Sequence, residues 1–287
     1  MRALPQPNGI KEVHVKIKAK TEMSNAVAYF REAGSGSTVV CVHSSASSSG
    51  QWRSLMDELS DRYHVVAMDL YGYGKSPGWP GVRELLLDDE IALMTPILEN
   101  TGRFHLIGHS YGGLIALKLA LDDPARIASL TLYEPTCFFL LFVNDSNDRA
   151  GREILAIRDE TSRLVDIGDL DLAAKRFLDY WMGPDIWRET PETSRLSIAK
   201  RMKKVRFEWA TGFDRPLSSA MISALPMPVL LLTGEQSTAA ARGVVRVLHS
   251  LLPQAKVVEL PGLGHMGPVT HPEKVNVAIV AFLDHMK

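Results

Sequence analysis

Short β-branched and apolar runs alternate with longer amphipathic stretches along most of the chain. Val39–His43, His64–Leu70, Phe104–Gly108, Ala128–Tyr133, Val229–Thr233 and Lys256–Leu260 are compact runs of the kind that strands buried on both faces show. Glu12–Ala19 instead alternates apolar with polar residues, as a half-exposed edge strand would, and Ala26–Arg31 can pair with it as a hairpin. Amphipathic stretches at Trp52–Ser60, Val82–Glu99, Leu114–Leu121, Ala240–Leu251 and Glu273–Met286 predict helices between the strands. This alternation predicts an α/β fold, a mostly parallel and doubly wound sheet.

One segment breaks the rhythm. From Phe138 to Ser223 the sequence is charged and helix-compatible, contains Trp181, Trp187 and Trp209, and offers no convincing strand. Pro226-Met227-Pro228 then restarts the sheet pattern. The economical division is a core built from residues 1–137 and 224–287, interrupted by a helical cap at 138–223 lying over the C-terminal edge of the sheet. An α/β architecture can hold all 287 residues as one core with such an insertion.

Composition narrows the partners. The chain is 46% hydrophobic and 23% charged, as a soluble globular protein is. Its 32 basic residues against 33 acidic ones leave a formal charge of -1, so neither nucleic acid nor an anionic membrane is expected as a partner. A small, weakly charged molecule suits it better. Oligomeric state is not legible. Two cysteines, Cys41 and Cys137, make no disulfide framework, and a reducing compartment, the cytoplasm, is the simpler expectation. Met1–Ile10 lacks the apolar centre of a secretory leader. No apolar run approaches the roughly 18–20 residues of a membrane-spanning helix, the longest lying around Cys137–Val143.

Candidate chemistry begins at Gly108-His109-Ser110-Tyr111-Gly112, which fits G-x-S-x-G. It follows the apolar run Phe104–Ile107 and precedes the helical pattern Leu114–Leu121, the strand–turn–helix setting that this motif requires. A nucleophile projecting from so tight a turn needs small flanking residues. The helix that follows aims its positive end at any oxyanion formed beside the hydroxyl.

Here the chain resembles the α/β-hydrolase superfamily over nearly its whole length outside the insertion. Asp69-Leu70-Tyr71-Gly72-Tyr73-Gly74-Lys75-Ser76 looks like the D-x-x-G-x-G-x-S loop that these enzymes carry after an early strand. A P-loop reading of Gly74-Lys75-Ser76 fails, because Asp69 stands where that motif needs a glycine. Among nine histidines, His265 lies on a glycine-flanked loop just past the last predicted strand and is placed like the family's catalytic histidine. From there an imidazole can accept the Ser110 proton near neutral pH. His271 does not make a metal site with it, since two histidines alone are not one. The resemblance further implies that the backbone N–H groups of Ser45 and Tyr111 form an oxyanion hole, although His43-Ser44 replaces the family's usual His-Gly.

The family's usual acid is an aspartate after the strand read here as Val229–Thr233, but Gly234-Glu235-Gln236-Ser237-Thr238 holds none, and Ser237 stands about where one is expected. Some relatives, including a subgroup of the haloalkane dehalogenases, carry a glutamate at the end of the preceding strand. Glu134 matches that position, with Glu235 as the alternative acid.

What the resemblance implies is a serine hydrolase, with no cofactor, that cleaves a carboxylic ester or lactone of a small, largely apolar molecule through an acyl-enzyme. Serine at the elbow argues against dehalogenase and epoxide hydrolase chemistry, which need a carboxylate nucleophile. A carbon–carbon bond hydrolase or cofactor-free haloperoxidase would use the same triad, and a ligand sensor on the hydrolase fold would keep the pocket with little turnover. Trp181, Trp187 and Trp209, with Phe138, Phe139 and Phe142, are candidates for an apolar pocket wall.

Overall fold

A computed structural model describes residues 10–16, 27–81, 83–99, 101–142, 149–213 and 217–286. Met1–Gly9, for which no leader is expected, lies outside the described residues, as do Ile17–Ala19, Ala26, Val82 and Val143 of the expected segments, and residues 214–216 of the insertion.

Eight strands occur among the described residues: β1 (Lys11–Lys16), β2 (Val27–Ala33), β3 (Ser37–Val42), β4 (Tyr63–Met68), β5 (Phe104–His109), β6 (Ile127–Tyr133), β7 (Val229–Gly234) and β8 (Lys256–Leu260). They form one sheet in the order β1-β2-β4-β3-β5-β6-β7-β8. The hairpin partner β2 runs antiparallel to both of its neighbours, and β3 to β8 are parallel to one another. The carboxyl ends of β3, β5, β6, β7 and β8 therefore share one edge, where ligands of parallel sheets gather.

The sheet is covered on both faces, which explains the nearly continuous apolar runs of its central strands. In β3, Val40 and Val42 belong to the core that also holds the buried residues of α2 (Leu87–Leu98), α3 (Tyr111–Asp122) and α9 (Ala239–Leu251). Val39 and Cys41, one residue out of phase, pack instead with α1 (Arg53–Leu59) and α11 (Pro272–Asp284). The alternation of side chains along a strand thus feeds two separate cores.

Two elements differ from the pattern reading. The helix expected from Val82 begins at Leu87, because the Asp89 carboxylate accepts the Leu86 N–H at 2.9 Å and both ends of the Arg83 guanidinium at 2.7 and 2.6 Å. That fold-back keeps residues 83–86 extended. The apolar run at β8 predicts burial on both faces, yet Lys256, Val257 and Glu259 are exposed. It is the last strand, with β7 on one side only.

Between β6 and β7 the described chain is helical: α4 (Arg149–Asp166), α5 (Leu170–Met182), α6 (Ile186–Glu189), α7 (Glu192–Phe213) and α8 (Ser219–Ser223). Their apolar residues, among them Ile154, Trp181, Met202 and Trp209, are continuous with the core of the α2–α3–α9 face. The short α10 (Gly267–Thr270) precedes α11.

A buried ion cluster fastens α7 to the sheet layer. Lys204 Nζ lies 2.7 Å from Glu90 Oε1 of α2 and 2.7 Å from Glu208 Oε1, one turn along α7. Burial pulls the Lys204 ammonium down, but the charges of Glu208 and Glu90 outweigh it and leave its pKa above the ordinary lysine value. Replacing one charge of such a group strands the others in a water-poor place. Lys204→Met should therefore cost about 3–5 kcal/mol of stability, read from urea denaturation midpoints. A loss below about 1 kcal/mol would show that the carboxylates do not depend on this ammonium.

Candidate active site

β5 ends at His109 and α3 begins at Tyr111, so Ser110 alone makes the turn, at φ 56° and ψ -120°. Residues other than glycine rarely enter this region and stay only where the surroundings hold them. Crowding dictates the neighbours: a Cβ on Gly108 would sit 2.4 Å from the Gly112 carbonyl oxygen, and one on Gly112 2.4 Å from that of His43. The Ser110 N–H donates to the Tyr133 carbonyl at 2.9 Å, and the Ser110 carbonyl accepts the Thr136 N–H at 3.2 Å. Strand β6 and the residues just after it thus clamp the elbow on both sides.

His265, on the loop after β8, places Nε2 3.0 Å from Ser110 Oγ and Nδ1 2.7 Å from Glu134 Oε2. All three side chains are buried. A carboxylate can only accept, so Nδ1 carries the proton and donates to Glu134, leaving the Nε2 lone pair for the serine hydroxyl. Glu134 follows β6 at φ 43°, and Pro135 prevents the strand from continuing. Its other oxygen, Oε1, accepts the Thr233 hydroxyl at 2.7 Å and the Gly234 N–H at 2.8 Å. Burial pushes the Glu134 carboxyl up, but the hydrogen bond and charge of His265, together with the Thr233 hydroxyl, more than offset this and hold its pKa below the ordinary carboxylate value. It stays charged at neutral pH.

Glu235 points elsewhere. It is exposed, and its Oε2 accepts the Gly262 N–H at 2.9 Å. It pins the loop leading to His265 without touching the imidazole.

A second chain of hydrogen bonds, invisible to motif reading, joins the loop at Ser44 and Ser45 to the histidine loop. Gln51 Oε1 accepts the Ser44 N–H at 3.2 Å and the Ser44 hydroxyl at 3.0 Å. Gln51 Nε2 lies 3.0 Å from His109 Nδ1, and His109 Nε2 lies 2.8 Å from the His265 carbonyl oxygen. Because that carbonyl can only accept, His109 donates from Nε2 and accepts from Gln51 at Nδ1. Burial, then the neighbouring His265 charge, hold the His109 pKa well below the ordinary histidine value, so it remains neutral. The departure from His-Gly now has a physical reason: the Ser44 hydroxyl is the first donor of this chain. Tyr133 adds a further tie, its hydroxyl donating to the Gly264 carbonyl at 2.7 Å.

Ser45, Ser110 and Tyr111 line one pocket together with Thr136, Phe138, Phe177, Trp181, Val205, Glu208 and Trp209. Tyr111 is the first residue of α3, so no preceding helical turn accepts its N–H. The Trp181 indole lies over the His265 ring, with centroids 4.1 Å apart. Of the six aromatic candidates, Phe138, Trp181 and Trp209 reach the wall, whereas Trp187, Phe139 and Phe142 do not. Sequence reasoning passes over Phe177, Glu208 and Gln51, which carry no motif. His271 is exposed and bonds Thr270.

The sequence matches the alpha/beta hydrolase family over residues 39–278. The chain belongs to that family, and it is a hydrolase of the serine type. It is 29% identical to a pimeloyl-[acyl-carrier protein] methyl ester esterase of Nitrosomonas europaea over 253 residues, covering 84% of this chain and 93% of the relative. It is 24% identical to an (E)-2-((N-methylformamido)methylene)succinate hydrolase of Acinetobacter baylyi over 274 residues, covering 91% of this chain and 95% of the relative. The fold is similar to that of a thermophilic esterase from Thermogutta terrifontis, with a TM-score of 0.72, 24% identity, and coverage of 96% and 99% of the two chains.

His43, buried at the end of β3, accepts the Leu70 N–H at Nε2 (3.1 Å) and lies 2.7 Å from the Ser44 carbonyl oxygen through Nδ1. Burial pulls its pKa down to about 4. The unfolded chain binds this proton near pH 6.5 and the folded one does not. His43 therefore costs nothing above about pH 6.5, and stability falls as the pH drops from there towards 4, by up to about 3 kcal/mol from this residue. Urea midpoints across that range should fall less steeply for His43→Gln than for the wild type; equal slopes would contradict the assignment.

Proposed function

We propose that this protein hydrolyses carboxylic esters with a small, largely apolar acyl group, through an acyl-enzyme on Ser110. The observation that carries the reading is the unbroken chain from Ser110 Oγ through His265 to Glu134, at 3.0 and 2.7 Å, on the wall of an aromatic pocket. The relative named as a methyl ester esterase supports the ester class, and the one named as a succinate-derivative hydrolase supports hydrolysis more generally.

In the first step, His265 Nε2 takes the Ser110 proton as the oxygen attacks the ester carbonyl. Glu134 stabilises the imidazolium that forms and keeps its ring in place, without itself taking the proton. The N–H groups of Ser45 and Tyr111 receive the oxyanion, each such donor being worth about a hundred- to a thousandfold in rate. Collapse of the tetrahedral intermediate expels the alcohol with the proton from His265. Water then enters the same geometry, gives a proton to Nε2, and releases the acid.

The helical segment 138–223 acts as a cap in this reading, since Phe138, Phe177, Trp181 and Trp209 come from it. Two buried free thiols, Cys41 and Cys137, fit a reducing compartment such as the cytoplasm.

A panel of p-nitrophenyl esters of graded acyl length, with lactones alongside, tests the class, and a fluorophosphonate probe tests the nucleophile. The probe should label the wild type and not Ser110→Ala. Glu134→Gln should lower kcat by about a hundred- to ten-thousandfold, whereas Glu235→Gln keeps most of the activity. The reverse ranking would remove Glu134 from the mechanism, and an unlabelled wild type would remove the acyl-enzyme.

A further inference from the structure

The pocket holding Ser110 is walled mostly by apolar rings, yet three buried polar atoms on its residues are left over, the Tyr111 hydroxyl at the start of α3 and one oxygen each on Glu208 and Thr136. Glu208 commits Oε1 to two partners: it accepts the Tyr73 hydroxyl at 2.7 Å and lies 2.7 Å from Lys204 Nζ. Its second oxygen, Oε2, is buried and has no hydrogen-bond partner among the described residues, and the same holds for the Thr136 hydroxyl. Glu208 is only 5% exposed, so bulk water does not compensate it. Buried polar groups are almost always paired, and an orphaned one beside a nucleophile asks what pairs with it in use. Both residues line the pocket with Ser110.

We propose that Glu208 Oε2 and Thr136 Oγ1 form a specificity site for a neutral hydroxyl group carried by the ester substrate. A hydroxyl has the donor and acceptor that these two atoms lack: it can donate to the Glu208 carboxylate and accept from the Thr136 O–H. Charge excludes the alternatives. A substrate ammonium would meet Lys204, already 2.7 Å from Glu208. A substrate carboxylate would meet the cluster Lys204, Glu90 and Glu208, in which one ammonium faces two carboxyl groups. Bringing a further anion into a buried place without its own cation is costly. An unsubstituted alkyl chain fits the rings but leaves Oε2 and the Thr136 hydroxyl unpaired. Sites built to bond a substrate hydroxyl discriminate strongly against the analogue lacking it, for that reason.

This deepens the ester-hydrolase reading and rests on it, so the experiment must let the two fail separately. Initial rates by pH-stat compare methyl butanoate, methyl 2-hydroxybutanoate, methyl 3-hydroxybutanoate, methyl 3-methoxybutanoate, 2-hydroxyethyl butanoate and monomethyl succinate. At least one hydroxylated ester should exceed methyl butanoate in kcat/KM by about ten- to a hundredfold, with the methoxy ester near the parent and the succinate monoester below it. In Glu208→Gln an amide N–H replaces the accepting oxygen, so the preference for hydroxy over methoxy ester should fall to about unity. That ratio is not moved by a general loss of folding or of Ser110 reactivity.

Turnover of methyl butanoate with no hydroxylated ester preferred, or a succinate monoester that equals the hydroxy esters, overturns the specificity site while leaving the hydrolase intact. Failure of every ester together with failure of fluorophosphonate labelling overturns the hydrolase reading. In that case calorimetric binding of the same esters to the wild-type protein decides the site: tighter binding of a hydroxylated ester than of its parent supports it, and equal binding overturns it. Should Glu208→Gln not fold, because Tyr73 and Lys204 also depend on it, the wild-type ratios decide alone.

Discussion

A carboxylate that remains charged in a place almost without water fixes which nitrogen of His265 carries the proton. Glu134 accepts from Nδ1 at 2.7 Å, so Nε2 faces Ser110 with its lone pair. Reverse the tautomer and the hydroxyl would meet an N–H, and no base would be present. The fold is arranged to keep that carboxylate charged. Thr233 and Gly234, at the end of β7, donate to its second oxygen, and the imidazole Nδ1–H donates to the first. A lone carboxyl buried this deeply would otherwise hold its proton. Glu134 thereby ties β6 to β7 as well as to the histidine, and sheet and site share one hydrogen-bond system.

The same dependence explains why the acid can sit on β6 at all. Parallel strands β3, β5, β6, β7 and β8 end on one edge, so Ser110, Glu134 and the loop to His265 converge without long excursions of the chain. Glu235, in the loop where the family's usual acid lies, has a different role, accepting the Gly262 N–H and steadying the loop from outside.

Much of this is legible from the amino-acid order alone. Strands buried on both faces announce themselves as apolar runs, the elbow is marked by Gly108 and Gly112, where a side chain would clash, and the His265 loop by Gly262, whose φ of 69° favours glycine. The misreadings are equally physical. Lys256–Leu260 has an apolar look, but a strand at the end of a sheet needs only part of its surface buried, and composition does not count its neighbours. The start of α2 is set by Asp89 folding back onto Leu86 and Arg83, a local bond that outranks the periodicity upstream. Gln51, His109 and Glu208 act through partners far away in sequence. Gln51 meets His109 across 58 positions, and Tyr73 meets Glu208 across 135, so no spacing rule could have paired them.

The division of labour between core and insertion follows from where these long-range pairs fall. Every group in the Ser110–His265–Glu134 chain, and each donor to Glu134 described above, comes from the ends of parallel strands or the loops leaving them. The insertion touches this chain from above, with the Trp181 ring 4.1 Å from that of His265 and Val205, Glu208 and Trp209 of α7 sharing a pocket with Ser110. The pocket wall, in contrast, is drawn largely from the helices between β6 and β7, and the buried ion cluster straddles the boundary, with Glu90 on α2 and Lys204 and Glu208 on α7. An insertion held only by apolar packing could slide or repack when its sequence drifts, carrying its pocket residues with it. Charges buried at 2.7 Å do not tolerate such slippage, because a small misfit leaves a carboxylate without its cation. The cluster therefore fixes the height at which α7 presents its face to Ser110. Sequence change elsewhere in the insertion can alter what the pocket accepts without disturbing the distance between the two.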